Sequence, residues 1–401
     1  MTPTRRDFLS VAVGTAGLAA VGRDPSPAPR RVQQSAPAGL DPWIEVDGAA
    51  LRSNLAAVGR LVEDRPVFAV IKNNGYGLGT VEVAEALDGE ASVAAFAVVK
   101  VDAALELRSA GIRKPILHMG ATSPEQARAL VHEDIRLAVF DPGDPARMHA
   151  LAEEIQAPVP VHVYLDTGMR RLGLPAHRAL PWLRALSDSP VRVEGTFMGF
   201  TEGDFDEEQL LRFRNVVEES RQAGIDLGLL HAASSHGLFL RPEAHMDAVR
   251  PGLALYGPYP SGSDTSQASL TPAFRLRARV ARVELLREGD TVSYGAEWRA
   301  DRPTWSATLP VGHADGYPRR AVDGCEVLIG GSLYPVVGAV SASHTIVILG
   351  DDPSVSVGDV ATLVGPDDPA IHPNEVARRA GASVYDVLMH LGQKLPRVVI
   401  S

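Results

Sequence analysis

A single cysteine, Cys325, stands in a chain of 401 residues. No internal disulfide can form, so stability has to come from packing. Positive charge is in deficit too. The formal net charge is −10, and no basic stripe or aromatic-rich basic patch offsets it, which argues against a nucleic-acid partner. Long hydrophobic runs are missing: the uncharged stretch from Ser10 to Gly22 is too short to anchor stably across a bilayer. The chain shows no solenoid-type repeat, no low-complexity tract beyond its first forty residues and no set of residues that reads as a metal site. What is present is 45% hydrophobic and 22% charged residues, the composition of a globular protein with a sizeable core. The length exceeds one ordinary domain and leaves room for a barrel plus a second unit.

The first residues read as a targeting segment. Thr4-Arg5-Arg6-Asp7-Phe8-Leu9 is a twin-arginine pattern, followed by small uncharged residues, and Asp24 to Gly39 is rich in Pro, Ala and Ser. Residues 1–40 are therefore expected to be an export signal and a disordered linker, cut after Ala20 or as late as Ala38. The expected destination is periplasmic or otherwise extracytoplasmic, with no membrane anchor left after processing. Twin-arginine export carries folded proteins, so a cofactor can be loaded before transport.

From Trp43 to Gly257 apolar runs alternate with amphipathic ones, the pattern of repeated βα units. Eight strands are predicted: Val67 to Lys72, Val93 to Val98, Pro115 to His118, Leu137 to Phe140, Val159 to Leu165, Val193 to Met198, Leu227 to His231 and Ala248 to Leu255. Eight parallel strands predict an α/β fold, a (β/α)8 barrel over residues 41–270, whose chemistry sits at the carboxyl ends of the strands. After Gly257 short alternating strands take over, among them Phe274 to Leu286 and Thr291 to Tyr294. They predict an all-β C-terminal domain over 271–401 that closes with two helices.

The most informative segment is Val67-Phe68-Ala69-Val70-Ile71-Lys72-Asn73-Asn74-Gly75-Tyr76-Gly77-Leu78-Gly79. An apolar strand ends in a lysine and then breaks into glycines. An amine at the dry mouth of a sheet loses hydration, which lowers its pKa and suits it to attack a carbonyl and form a Schiff base. Tyr76, the glycines and a helix start at Thr80 look like a phosphate cradle. Lysine plus phosphate site points to pyridoxal 5'-phosphate. The plain alternative is a solvated lysine before a turn. Downstream, His231-Ala232-Ala233-Ser234-Ser235 and Val249-Arg250-Pro251-Gly252-Leu253 occupy the seventh and eighth loops, where barrels frequently bind phosphate. Ser235 offers a hydroxyl, and the N–H groups of Gly252 and Leu253 can face an anion. Read on the residues alone, Arg250 is a surface or interstrand charge, and Tyr294 a packing residue in a strand.

Together these segments resemble the alanine racemase family over nearly all of residues 43–401. The resemblance implies that Lys72 carries the cofactor, that Tyr76, Ser235, Gly252 and Leu253 bind its phosphate, and that Arg250 meets its pyridine nitrogen. A guanidinium there cannot give the ring a proton, which suits proton removal and return at Cα more than transamination. Thr291-Val292-Ser293-Tyr294-Gly295 resembles the family's catalytic-tyrosine motif. Racemisation by two bases needs an acceptor on each face of Cα, and Lys72 and Tyr294 supply the pair. In the family that tyrosine comes from the partner subunit, which implies a homodimer with shared sites. Asp166-Thr167-Gly168-Met169-Arg170-Arg171-Leu172-Gly173 matches a further motif, with Arg171 aligned to the arginine that contacts the cofactor's phenolic oxygen.

The departures concern the pocket. Tyr164 replaces a lysine that is carbamylated in some members, so Arg171 loses its usual anionic support. Gly199 replaces a histidine that packs on the cofactor ring. His313, in Gly312-His313-Ala314-Asp315-Gly316-Tyr317, replaces an entrance tyrosine near the phosphate, and Ala342 and Ser343 stand where a Met-Asp pair lies beside substrate. Smaller groups are expected to admit larger amino acids, as in exported broad-specificity racemases. The expected function is racemisation of alanine or a broader range of small amino-acid substrates. Two alternatives stay open at this point: a lyase on the same fold, cleaving β-hydroxy amino acids or decarboxylating, and a cofactor-binding protein that has lost catalysis.

Overall fold

The computed structural model describes residues 38–351 and 354–400; the twin-arginine segment and most of the linker lie outside the described residues. Within them the first sheet is parallel. It runs through β2 (Val67–Val70), β3 (Val93–Val98), β4 (Ile116–His118), β5 (Ile135–Val139), β6 (Val159–Asp166), β8 (Val191–Phe197) and β9 (Leu229–His231), while the two-residue β7 (Leu174–Pro175) pairs with the end of β6. Strands covered on both faces read as unbroken apolar runs, and every residue of β2, β3 and β6 is buried.

The predicted eighth strand, Ala248 to Leu255, takes a different form. One bridge, Val67 with Val249, stands in its place, and Leu253–Tyr256 coils into a 3-10 turn. The barrel still closes. Phe68 N–H donates to Val249 O at 2.8 Å, Val249 N–H to Pro66 O at 3.0 Å and Val70 N–H to Pro251 O at 2.9 Å. Pro251 has no N–H with which to extend the ladder, so the chain turns out of the sheet after it.

The second sheet has nine strands, in the order β11 (Arg282–Leu286), β14 (Thr304–Leu309), β17 (Thr345–Gly350), β16 (Ser332–Val337), β15 (Glu326–Ile329), β18 (Val360–Val364), β10 (Phe274–Arg279), β1 (Trp43–Asp47) and β19 (Arg397–Ile400). Its pairs are antiparallel except β1 with β19. Burial alternates along β10 and β17, the mark of a sheet with one covered face. Two expectations change here. Strand β1 falls within the residues assigned to the barrel yet pairs with β10, so the second domain is completed by the segment that precedes the barrel. The predicted strand Phe274 to Leu286 is broken into β10 and β11, which pair with different neighbours. The helices Pro373–Arg379 and Val384–Met389 follow β18.

Candidate active site

Lys72 leaves β2 at the barrel mouth, and the four residues after it coil the wrong way. Asn73, Asn74, Gly75 and Tyr76 have φ of 54°, 56°, 57° and 53°, a left-handed turn that costs about 1–2 kcal/mol for each residue carrying a Cβ. Asparagine tolerates that region better than most, but a tyrosine has to be held there. The hold is visible. Gly77 and Gly79 donate N–H to Asn74 O at 2.9 and 2.8 Å, and Gly77 O accepts from Arg397 Nη2 at 2.7 Å. Only glycine fits at Gly77, where φ is 91° and a Cβ would lie 2.3 Å from Leu388 O. The turn delivers Tyr76 inward, 4% exposed, stacked on Tyr256 at 4.6 Å between ring centroids. Tyr385 of the C-terminal helix lies 6.4 Å away on the same measure.

The Tyr76 hydroxyl ends at Gly252. A Cβ on Gly252 would sit 2.2 Å from it, so the glycine keeps open the space this oxygen uses. Ser235 Oγ accepts from Gly252 N–H at 3.0 Å and Ala254 N–H at 3.1 Å. With both lone pairs taken, its own hydrogen is left to donate elsewhere. The Gly252 N–H, expected to face an anion, instead orients that serine. Leu253 opens the 3-10 turn, so its N–H has no acceptor within the turn. The neighbouring Ser234 Oγ is buried and has no partner among the described residues. The predicted anion site at the Thr80 helix start is filled by its own chain: the Glu82 carboxylate lies where a Gly79 Cβ would be, 2.1 Å from that position.

Three cations converge on this mouth. Lys72 is half-buried, and its pKa is lowered, by lost hydration first and then by the Arg171 and Arg250 charges, against the pull of Glu202. Arg250 is neither a surface nor an exposed interstrand charge: it is 6% exposed and lies 5.0 Å over the Phe197 ring. Burial pulls it down to about 10. Its guanidinium donates to the carbonyls of His231 and Met198 and, at 3.1 Å, to His231 Nδ1. Arg171 is exposed, and among the described residues no hydrogen bond or ion pair holds it. Asp166 serves Arg170 instead, at 3.4 Å.

Glu202 is a residue that sequence reading passed over. It follows β8 in a left-handed conformation, φ 64°, with its N–H fixed by Asp206 Oδ1 at 3.0 Å. Asp206 also takes the His236 imidazole at 2.7 Å, one residue past Ser235. Glu202 reaches solvent, yet its carboxyl is held above the usual range, chiefly by lost hydration. A lone acid in a loop carries no motif that would have marked it. Tyr164 has joined an aromatic stack, 4.4 Å from Phe197, and its hydroxyl lies 3.5 Å from where a Cβ on Gly199 would be, with Met169 beside it.

The remaining predicted residues gather in the second domain. Strand β12 (Thr291–Val292) stops before Tyr294. Ser293, at φ 64°, turns the chain, and Tyr294 heads a 3-10 turn, 77% exposed. It is not a packed strand residue. Ser293 Oγ donates to Ala339 O at 2.7 Å, which ties this turn to the segment carrying Ala342 and Ser343, both exposed. His313 N–H donates to Ser341 O at 2.9 Å and Ala314 N–H to Ala342 O at 3.0 Å. No hydrogen bond or ion pair among the described residues joins this group to the barrel group.

Comparison with known proteins agrees with this layout. The family "Alanine racemase, N-terminal domain" matches residues 46–260, and "Alanine racemase, C-terminal domain" matches 273–399. An alanine racemase of Symbiobacterium thermophilum is 37% identical over 88% of this chain and 96% of its own. That of Desulfovibrio desulfuricans is 35% identical over 89% and 98%. Among solved structures, the alanine racemase of D-cycloserine-producing Streptomyces lavendulae superposes with a TM-score of 0.84 at 28% identity, covering 91% of this chain and 98% of its own. That of Clostridium difficile 630 gives 0.83 at 28%, covering 90% and 96%. A barrel whose mouth presents a desolvated lysine beside an anion cradle, joined to this β-domain, therefore belongs to the alanine racemase family of pyridoxal-phosphate-dependent isomerases.

Proposed function

We propose that this chain racemises amino acids at Cα with Lys72 and Tyr294 as the two bases, in a site shared across a homodimer. The observation that carries the reading is the barrel cluster, where Lys72 has a lowered pKa on a turn that seats Tyr76 against Gly252 and Ser235. The cluster fits pyridoxal phosphate. Ser234 Oγ lacks a partner among the described residues, Ser235 keeps a hydrogen to donate, and at Gly252 a Cβ would close the cradle. Tyr76, Ser235 and the Leu253 N–H would hold the phosphate, and the Arg250 guanidinium would meet the pyridine nitrogen. When bound, the cofactor supplies an electron sink that acidifies the Cα–H bond.

The chain's own part is proton handling. Lys72, its charged form disfavoured by burial and by two arginines, takes or returns the proton on one face of Cα. The Tyr294 phenol serves the other face. Its exposure within one chain is what a side chain completed by a partner's barrel would show, and it supports the shared-site dimer. Arg171, with no ion pair among the described residues and close enough to lower the Lys72 pKa, would be available to the cofactor's phenolic oxygen or the substrate. Small groups at Gly199, Ala342 and Ser343 leave room for side chains longer than a methyl, which supports a range broader than alanine. The twin-arginine segment supports export and action outside the cytoplasm.

The test is solvent-deuterium incorporation at Cα from each enantiomer of a panel of amino acids. Two-base chemistry predicts label in the inverted product from either side; label appearing only with retention overturns the pair. Activity confined to alanine overturns the broader range. Cell fractionation checks export.

A further inference from the structure

The interior of the barrel holds a file of two buried histidines that runs back from Arg250, away from the mouth where Lys72 and Tyr76 lie. His162 of β6 and His231 of β9 are 2% and 0% exposed, and their ring nitrogens Nδ1 and Nε2, respectively, lie 2.9 Å apart. His231 Nδ1 lies 3.1 Å from Arg250 Nη1. A guanidinium has donors and no acceptor, so His231 Nδ1 has to accept. A neutral His231 then carries its hydrogen on Nε2 and donates it to His162 Nδ1, which leaves the His162 hydrogen on its own Nε2. His231 is thus held from both sides, Arg250 donating to Nδ1 and His162 accepting from Nε2, and only one pair of neutral tautomers satisfies both contacts.

Packing keeps the rings in that order. Phe68 meets both edge-on, at 5.7 and 4.8 Å between centroids. Phe197 stacks on His231 at 5.2 Å. Gly195, the cross-strand partner of His162, has no room for a Cβ, which would lie 2.6 Å from His162 Nδ1. Burial disfavours the charged form of both imidazoles, pulling His162 down to about 4 and His231 well below its ordinary value. Glu194, paired with Arg136 at 3.0 Å and with Arg192 at 2.7 Å, is the charged group that favours a protonated His162, against the Arg136 and Arg250 charges.

We infer that His162 is a positioning residue: by accepting from His231 Nε2 it locks the His231 tautomer that receives Arg250, and so fixes how the guanidinium is presented to the cofactor ring. The inference rests on the proposed reading that Arg250 meets the pyridine nitrogen. A flipped or retautomerised His231 would leave Arg250 held by backbone carbonyls alone.

The test begins without any variant or cofactor. Side-chain ¹⁵N spectra of histidine-labelled apoprotein should show His231 wholly as the Nε2–H form; an Nδ1–H or charged His231 overturns the inference. In the holoenzyme, His162→Leu should mix the His231 tautomers, shift the cofactor's visible absorbance and weaken its binding about tenfold. The kcat should fall with KM unchanged, and His162→Gln, whose carbonyl can accept, should restore the band. An unaltered tautomer and absorbance band in folded His162→Leu overturns the role. Failure of the proposed site would be separate: Lys72→Ala would then keep the visible band while the histidine spectra stayed as expected.

Discussion

Tyr76 and Tyr294 are assigned to one site, yet the first is 4% exposed and the second 77%. The contrast holds for their surroundings. Around Tyr76 each polar group is positioned by another: Ser235 by the N–H groups of Gly252 and Ala254, Arg250 by His231, and the turn itself by Gly77 and Arg397. Around Tyr294 the loops are well formed but open, and its ring packs on no other ring among the described residues. The barrel half of the site is finished within one chain because its strain and buried charge need a packed core to hold them. The β-domain half has no such needs, and in the proposed shared-site dimer its geometry would be completed by a partner subunit. A side chain left in solvent is cheap to mutate for stability and expensive for function only if something covers it.

The largest effect that would break this contrast is complementation. Lys72→Ala and Tyr294→Phe should each lower kcat by ~10³-fold, while Tyr294→Phe shifts stability by less than about 0.5 kcal/mol. If the sites are shared, subunits mixed from the two inactive proteins rebuild one intact site per heterodimer and recover about a quarter of wild-type activity. No recovery on mixing, with heterodimers shown to form, means that both bases come from one chain.

A middle-sized effect separates the two halves by affinity. Gly252→Ala places a methyl on the Tyr76 hydroxyl, so cofactor dissociation should rise by roughly 10- to 100-fold, measured by equilibrium dialysis. Ser343→Ala in the open half should leave that constant within twofold or so. Equal losses in both would erase the distinction.

The smallest effects concern charge. Lys72 has a lowered pKa, so capture of an aldehyde by the apoprotein should rise with pH to a midpoint below 10.5, the ordinary lysine value. Arg171 lowers that pKa and Glu202 raises it. Removing a nearby cation restores the charged form, so Arg171→Gln should move the midpoint up. Glu202→Gln should move it down, since the ammonium loses the carboxylate that raises its pKa. Capture rates measured against pH would settle both signs, and shifts in the same direction would disprove the arrangement.

Much of this site was legible because its parts come as ordered motifs. Lys72 at a strand end followed by Tyr76 and glycines, Ser235 and Arg250 on late barrel loops, and Tyr294 before a glycine are local patterns. What was not legible has specific causes. The eighth strand looked apolar enough to be a strand, but Arg250 and Pro251 turn it after a single bridge. The helix start at Thr80 looked like an anion site, but Glu82 folds over it. Glu202 gave no signal because its place depends on Asp206 and His236, which lie on other elements. His162 was detectable in principle, as a lone imidazole in Val159-Pro160-Val161-His162-Val163, but nothing local says that it faces a second histidine.

The sequence by itself determined the family, the cofactor chemistry and which strands build the barrel, since these rest on residue types at fixed spacing and on runs buried on both faces. Only the tertiary structure decided how the lysine is desolvated, which groups orient Ser235 and Arg250, and that Tyr294 stands open. Those properties depend on distances between residues far apart in the chain, and on electrostatics that change with burial, neither of which local spacing encodes.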